Sequence, residues 1–349
     1  MKKLFTAIAV IALVCNAAQA KTWRINNDPE AKADFLSIND AMASLEVYAG
    51  DVLYLDPGCR LPAQTISKGV TIIGTGYNLT ESEEAMVAGV TISANDIKLT
   101  GINVSGNISW SKAFHNITIE RCKVEGISVY GSGGVPCEGV KIIGCYSMGT
   151  VDGGASSTIL RNSIILGIVR NFDNGIISNN TVIYDTGKET GNLVAYPLAA
   201  VIKNSTITNN VIINTTTYTT TTDNVVTHWS YRTIYNTDVA SGNNITNNVL
   251  STDADHTWAD FPTNKFIGAT VEDIFVNEGN QEEKYRLKAG SAAIGYGTNG
   301  VDCGAFDGMY PYVLCGRPQF VPYIYDAQIP ATSTNGKLNI TLKVKSQNE

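Results

Sequence analysis

The sequence predicts an all-β fold, a single-stranded parallel β-helix built of short strands stacked coil on coil. Three observations carry this. A short β-forming unit recurs along the chain, its copies fall into one column at irregular steps near 20 residues, and the composition suits turns and stacked faces. The clearest copies are Ser205-Thr-Ile-Thr-Asn-Asn-Val-Ile-Ile-Asn214, Gly175-Ile-Ile-Ser-Asn-Asn-Thr-Val182 and Asn243-Asn-Ile-Thr-Asn-Asn-Val-Leu250. Looser ones begin at Ile97, Ile117, Val140 and Ser157. Superposed, they align Ile102, Cys122, Cys145, Asn162, Asn180, Asn210 and Asn248, with steps of 20, 23, 17, 18, 30 and 38 residues.

Each unit has a physical reading. Apolar residues alternate along a strand, a small or polar pair follows, and a second short apolar run closes the unit. Asn takes the left-handed backbone conformation more readily than any residue but Gly, so Asn-Asn marks a sharp bend. Stacked coils place these side chains in a ladder, each within hydrogen-bonding reach of the next. One coil cannot bury its own apolar face, and stacking makes the core continuous.

Of 349 residues, 44% are apolar and only 16% charged, while Gly reaches 32. Lys2 and Lys3 precede an apolar run from Leu4 to Val14, and Ala18-Gln19-Ala20 is a small-x-small cleavage signal. A signal peptide over 1–20 is expected, with export to the periplasm, the cell surface or the medium. Lipid anchoring through Cys15 fits less well, because Val14 is not the small residue that such a site requires. The remainder has no apolar stretch long enough for a transmembrane helix. Residues 21–349 carry 23 basic and 32 acidic side chains, a net charge of −9 with no basic run. That excludes an electrostatic nucleic-acid binder.

Taken in order, 21–349 reads as one domain. Residues 21–50 form an N-terminal cap: Trp23 and Ile25 on a first strand, then a helix capped by Asp34 with Phe35, Ile38, Met42 and Leu45 on one face. Such a helix would cover the apolar end of the solenoid. Residues 51–309 hold the rungs and a closing segment, starting with Gly50-Asp-Val-Leu-Tyr-Leu-Asp-Pro-Gly58 and Lys68-Gly-Val-Thr-Ile-Ile-Gly-Thr-Gly-Tyr77. Insertions at Tyr184–Ala200, Thr215–Ser241 and Ser251–Asn264 follow the second apolar run of their units, so they should leave one corner and wall a groove. In the tail, 310–349, a Pro-rich link over Arg317–Pro330 leads to Leu338-Asn-Ile-Thr-Leu-Lys-Val-Lys345. That stretch alternates strictly and reads as a final strand packed on the solenoid or covering an edge.

The cap helix followed by the strings at Gly50 and Lys68 resembles the entry to right-handed parallel β-helices of the pectin-lyase-like superfamily. Tyr285-Arg-Leu-Lys-Ala-Gly-Ser-Ala-Ala-Ile-Gly295 with Val301-Asp-Cys-Gly-Ala-Phe-Asp-Gly308 is similar to the closing segment of β-helix proteins exported by Bacteroidetes. The resemblance implies right-handedness and a fold spanning nearly all of 21–349. The catalytic strings of pectate lyases and polygalacturonases do not occur here, so it implies no particular activity.

Six cysteines follow the leader: Cys59, Cys122, Cys137, Cys145, Cys303 and Cys315. Outside the cell disulfides persist. Cys303 and Cys315 flank a turn-rich segment and are the leading disulfide candidates. Cys122 and Cys145 share the column at roughly 5 Å spacing, which suits a disulfide or stacked free thiols. No Cys-x-x-Cys or His cluster marks a metal site.

The best candidate binding residues lie in the insertions: His228, Trp229, Tyr231 and Arg232 in one, Asp253, Asp255, His256 and Trp258 in the next. Aromatic faces stack on sugar rings, Arg grips carboxylate or sulfate, and His or Asp moves protons. The competing reading packs Trp229, Tyr231 and Trp258 onto the solenoid wall. The chondroitinase B and alginate lyase group of the superfamily that the chain resembles uses a Lys base and an Arg acid beside an acidic calcium site, and for such a role the resemblance offers Lys141 or Lys203 with Arg161 or Arg170. Asp152 and Asp173 could line a calcium site, although Asp-Gly turns are ordinary at coil corners and no specific motif calls for a cofactor. His115 reads as a turn residue. The function expected is engagement of a polysaccharide or surface glycan beside the long loops. The alternatives are a non-catalytic structural or adhesive solenoid and a uronic-acid-type polysaccharide lyase.

Overall fold

The computed structural model describes residues 20–129, 135–184, 202–215, 217–222, 225–230, 242–251, 263–266, 270–318, 323–330, 332, 337–338 and 340–345. They form an all-β parallel solenoid. Ten parallel strands, Thr22–Ile25, Val52–Leu55, Thr71–Ile73, Lys98–Thr100, Thr118–Glu120, Lys141–Ile143, Ile159–Arg161, Ile176–Ser178, Thr206–Thr208 and Asn244–Thr246, make the first face in sequence order. Their inward residues stack in strict register: Leu53, Ile72, Leu99, Ile119, Ile142, Leu160, Ile177, Ile207 and Ile245 are all buried. A period-2 pattern with one apolar residue per rung suffices, because each strand contributes three or four residues and presents its middle one inward.

After a two-residue corner each coil enters a second face, where Val104, Val124, Ser147, Ile165, Val182, Ile212 and Leu250 point inward. A third face follows in the rungs from Gln64–Ile66 to Ile202–Lys203.

The corner between first and second faces explains the repeat. Its first residue has positive φ in seven successive rungs: Gly101, Arg121, Gly144, Asn162, Asn179, Asn209 and Asn247. Its second residue points into the core: Ile102, Cys122, Cys145, Ser163, Asn180, Asn210 and Asn248 are each at most 1% exposed. The sequence column was therefore right in six of its seven members. In the 159–165 rung the inward residue is Ser163, and Asn162 occupies the left-handed position before it. Asn suits both positions, so residue type alone could not separate them.

The inner column is the expected ladder. Asn180 N–H donates to Asn210 Oδ1 at 2.8 Å, Asn210 N–H to Asn248 Oδ1 at 2.9 Å and Asn248 N–H to Asn264 Oδ1 at 2.9 Å. Each amide Nδ2 also reaches a strand carbonyl one rung back, as Asn210 does to Ile177 O at 2.9 Å. Upstream the ladder ends where Cys145 N–H donates to Ser163 Oγ at 3.1 Å.

Other expectations need correction. The cap helix is shorter, Ile38–Ala43, and Ser37 caps it by accepting from Asp40 N–H at 3.0 Å. Asp34 instead accepts from Arg24 N–H at 2.7 Å, and Phe35 bridges Ile25, so this stretch is held extended against the first strand. Leu45 lies past the helix, 89% exposed. In the tail, Thr341–Lys345 pairs antiparallel with Tyr323–Gln328, a strand within the Pro-rich stretch expected to be a link. This pair is a two-stranded sheet of its own, not hydrogen-bonded into a solenoid sheet. All six cysteines among the described residues are free thiols. Cys303 and Cys315 do not pair: the Cys303 thiol donates to Asn247 O at 3.2 Å, while Cys315 sits on Tyr77, accepting its N–H at 2.8 Å. Cys122 and Cys145 are stacked thiols, the second of the two arrangements that the column allowed.

Candidate functional site: the cleft at the foot of the insertions

The strands Thr181–Tyr184 and Val211–Asn214 are neighbours in one sheet, and each immediately precedes an insertion, so these two leave the same corner. The third expected insertion, Ser251–Asn264, is not one: Asn264 is the next member of the inner column, 16 residues after Asn248, and Lys265–Phe266 pairs with Val249–Leu250, so this stretch has the length of a plain coil. Within the second insertion, Thr217–Thr222 and Val225–Ser230 form an antiparallel pair that sets Trp229 opposite Tyr218 and His228 opposite Thr219. Tyr231, Arg232, Asp253, Asp255, His256 and Trp258 lie outside the described residues.

The closing segment, residues 270–318, runs back along the outside of the second face. It buries Tyr146, Ile164, Val211 and Val249 under Ile274, Phe275, Tyr285, Ala305 and Tyr312. The outer corner column docks it. Arg121 donates to Arg317 O at 2.9 Å, Asn162 to Ala305 O and Asp307 O at 3.1 and 2.6 Å, and Asn247 to Tyr296 O at 3.3 Å; Asn209 Oδ1 accepts from Thr298 N–H at 2.9 Å.

A buried polar knot anchors the segment farther along. Glu282 is fully buried; it accepts from Asn78 Nδ2, from Tyr312 OH at 3.1 Å and from Cys315 N–H at 2.7 Å. Tyr312 and Tyr77 share a 2.6 Å hydrogen bond, and Lys123 donates to Asn78 Oδ1 at 2.7 Å. Burial raises the Glu282 carboxyl above its ordinary range despite these donors, and pushes both tyrosines well up. Gly316 closes the knot at φ +53°, where a Cβ would lie 2.1 Å from the Tyr77 ring. None of this knot was legible beforehand, since Tyr77 and Tyr312 are 235 residues apart and no local pattern marks either.

Between the rungs and this segment lies a cleft of about 570 Å³. Leu166, Ile183 and Thr215 come from three successive rungs, Ile183 just before one insertion and Thr215 opening the next; Thr270, Val271, Glu272, Asn277, Lys284 and Tyr285 come from the closing segment. Asp273 fixes the start of the short helix Val271–Ile274 by accepting from Thr270 N–H at 3.0 Å. Phe275 meets the Tyr285 ring edge-on at 5.8 Å, and Lys284 Nζ lies 4.9 Å above that ring. The lining thus sets an aliphatic floor against hydroxyls, an amide, a carboxylate and an ammonium. Such a surface can hold a molecule with apolar faces and hydroxyl rims.

The other candidates are in ordinary structural contacts. Arg170 pairs with Asp152 at 2.9 Å, Asn171 adds a 2.8 Å bond to the same oxygen, and Lys203 pairs with Asp173 at 3.1 Å. Lys141 and Arg161 stand on the first face, with Arg161 against Met309 Sδ. No Lys–Arg couple faces an acidic cage among them. His115 sits at a corner, its Nδ1 accepting from Glu138 N–H at 3.2 Å. Burial pushes the Cys145 and Cys303 thiols up to about 12, so neither is a thiolate at neutral pH. Among the described residues no group of three or more His, Cys, Asp or Glu is arranged to hold a metal ion, and no helix is long and apolar enough to cross a membrane. No family model matches the chain, and no curated protein matches it.

Proposed function

We propose that this chain is an exported, right-handed parallel β-helix of the pectin-lyase-like kind that binds a polysaccharide in the cleft beside its insertions. The observation that carries the proposal is the mixed lining of that cleft, at the corner from which the first two insertions leave. Sugars offer alternating apolar faces and hydroxyl edges, and the cleft offers a complement to each. Trp229, Tyr231 and Arg232 follow in the insertion that Thr215, a lining residue, opens. The lyase reading gains nothing from Arg170 and Lys203, each held by its own carboxylate.

The test is a glycan-array screen on the processed chain. It is run beside the double variant Glu272→Gln, Lys284→Ala and the double variant Trp229→Ala, Trp258→Ala. Uronic-acid polymers are followed in parallel for ultraviolet absorbance of unsaturated products, with and without calcium. Binding that falls at least tenfold in both variants, without absorbance growth, supports the proposal. Binding unchanged by the cleft variant moves the ligand off the cleft. Absorbance growth installs a lyase instead, and silence from folded protein leaves a structural solenoid.

A further inference from the structure

The N-terminal coil is closed by one buried carboxylate. Asp51 is 3% exposed. Its Oδ2 accepts from Trp23 Nε1 at 2.9 Å and from Tyr48 N–H at 3.0 Å; its Oδ1 accepts from the Lys21 backbone N–H at 2.8 Å. The main chain repeats the connection, with Val52 N–H donating to Lys21 O at 2.9 Å and Thr71 N–H to Asp51 O at 3.0 Å. Asp51 thus ties the first strand to the second rung and the second to the third.

No side-chain ion pair serves this carboxylate among the described residues. The Lys21 ammonium is parked 5.2 Å above the Trp23 ring, and Lys68 Nζ is bound to Ser44 O and Val47 O at 2.6 and 2.9 Å. All three N–H partners of Asp51 are neutral. One of them is the nitrogen that would become the chain terminus if the Ala20–Lys21 bond were cut, and the small-x-small signal Ala18-Gln19-Ala20 ends at that bond. Ala20 and Lys21 are both exposed, and so open to a protease.

We propose that Ala20–Lys21 is a processing site and that the Lys21 α-ammonium created there docks on Asp51 as a half-buried ion pair, fastening the first coil once the leader has gone. An endopeptidase adds water across the amide: the Ala20 carboxylate leaves with the leader, and the Lys21 nitrogen keeps its electron pair and is protonated. The nitrogen already lies 2.8 Å from Oδ1, so no rearrangement is needed; a neutral donor on an ionised carboxylate becomes a cationic one, which adds the attraction of opposite charges to a hydrogen bond already in place. A cut one residue to either side would put the ammonium elsewhere and leave a neutral amide, or nothing, on Oδ1. The carboxylate suits the role. Burial pushes its pKa up, but the Trp23, Tyr48 and Lys21 donors outweigh burial and hold it below the ordinary range, so it is ionised at neutral pH.

The sign of the pH effect follows. An α-amine has an ordinary pKa of about 7.7–8.0, and the pair raises it in the folded state. The stabilisation is full below that ordinary value and is lost as pH rises through the raised one. On the acid side it is lost as pH falls through the depressed Asp51 value.

The test uses the full-length chain, expressed with export. Intact mass of the recovered protein is expected to match a start at Lys21. The α-amine is then acylated at a series of pH values and read by peptide mass spectrometry. In the native protein the labelling midpoint should lie about one pH unit or more above that of the urea-unfolded chain. In Asp51→Asn it should return to the unfolded value. A start at any residue other than Lys21 overturns the proposal, as does a chain recovered uncut. Equal midpoints in native and unfolded protein also overturn it. If Asp51→Asn does not fold, the native-against-unfolded comparison decides alone.

Discussion

The two residues of the rung corner are adjacent in sequence, often both Asn, and do different work. The inner column, Ser163, Asn180, Asn210, Asn248 and Asn264, bonds rung to rung inside the core. The outer column, Arg121, Asn162, Asn209 and Asn247, bonds the closing segment to the solenoid. The inner position accepts apolar residues and thiols as well, since Ile102, Cys122 and Cys145 fill it upstream. The outer one needs a left-handed backbone, and three different residue types, Gly, Arg and Asn, supply it. An Asn-Asn pair is therefore two devices side by side: an amide replacing a hydrophobe where the ladder runs, and a bend whose side chain is free to hold something else.

The largest effect should come from the inner column. Asn210→Ala removes the acceptor of Asn180 N–H and Nδ2 and the donor to Ile177 O and Thr208 O, leaving several buried groups unpaired. With roughly 1–3 kcal/mol for each such group, partly relieved by relaxation, a loss of about 3 kcal/mol or more is expected. Urea unfolding should show it, with hydrogen exchange accelerated in the rungs on either side. A loss under about 1 kcal/mol would mean that the ladder is incidental to stacking.

Glu282→Gln gives the next effect, and it tests the anchor of the closing segment away from the outer column. A glutamine offers one oxygen where the carboxylate offers two, so one of the donors Asn78, Tyr312 and Cys315 loses its partner. The expected loss at neutral pH is about 1–2 kcal/mol. The pH dependence carries a sign. Because the folded-state pKa of Glu282 is raised, its contribution is larger at low pH and declines as pH rises from the ordinary carboxylate range through the raised value. The gap between wild type and variant should therefore widen on acidification. A gap that narrows would show that the three donors outweigh burial.

These columns also show what the sequence can and cannot reveal. The fold was legible because stacking repeats one chemical demand at every rung, so Ile119, Ile142, Ile177 and Ile207 announce one another. The shared corner of the insertions was legible for the same reason, from the apolar runs ending at Tyr184 and Asn214. The assignment of Asn162 to the ladder failed because both corner positions tolerate Asn, and only register distinguishes them. The Asp34 cap failed because Phe35 is claimed by Ile25 across the first strand, a tertiary contact overriding a local signal. The cleft and the Glu282 knot had no repeat to announce them, since each joins the solenoid to a segment that crosses it once.

The smallest effect, and the sharpest test of the comparison, lies at Asn162. Replacement by alanine would mix two losses, the bonds to Ala305 O and Asp307 O and the strain of a left-handed alanine at φ +49°. Asn162→Gly separates them, because glycine takes that conformation without steric conflict. The variant keeps the bend and deletes only the dock, so about 1 kcal/mol should be lost. The response should also be local. Exchange should quicken in residues 302–308 of the closing segment, while the amides of Ile159–Arg161 and Ile176–Ser178 stay protected. If those rungs loosen as well, the outer column is part of the stacking machinery and the division of labour between the two positions fails. If the glycine variant equals wild type while the alanine variant does not, the outer residue matters only for its backbone and the closing segment is held by its apolar face and Glu282.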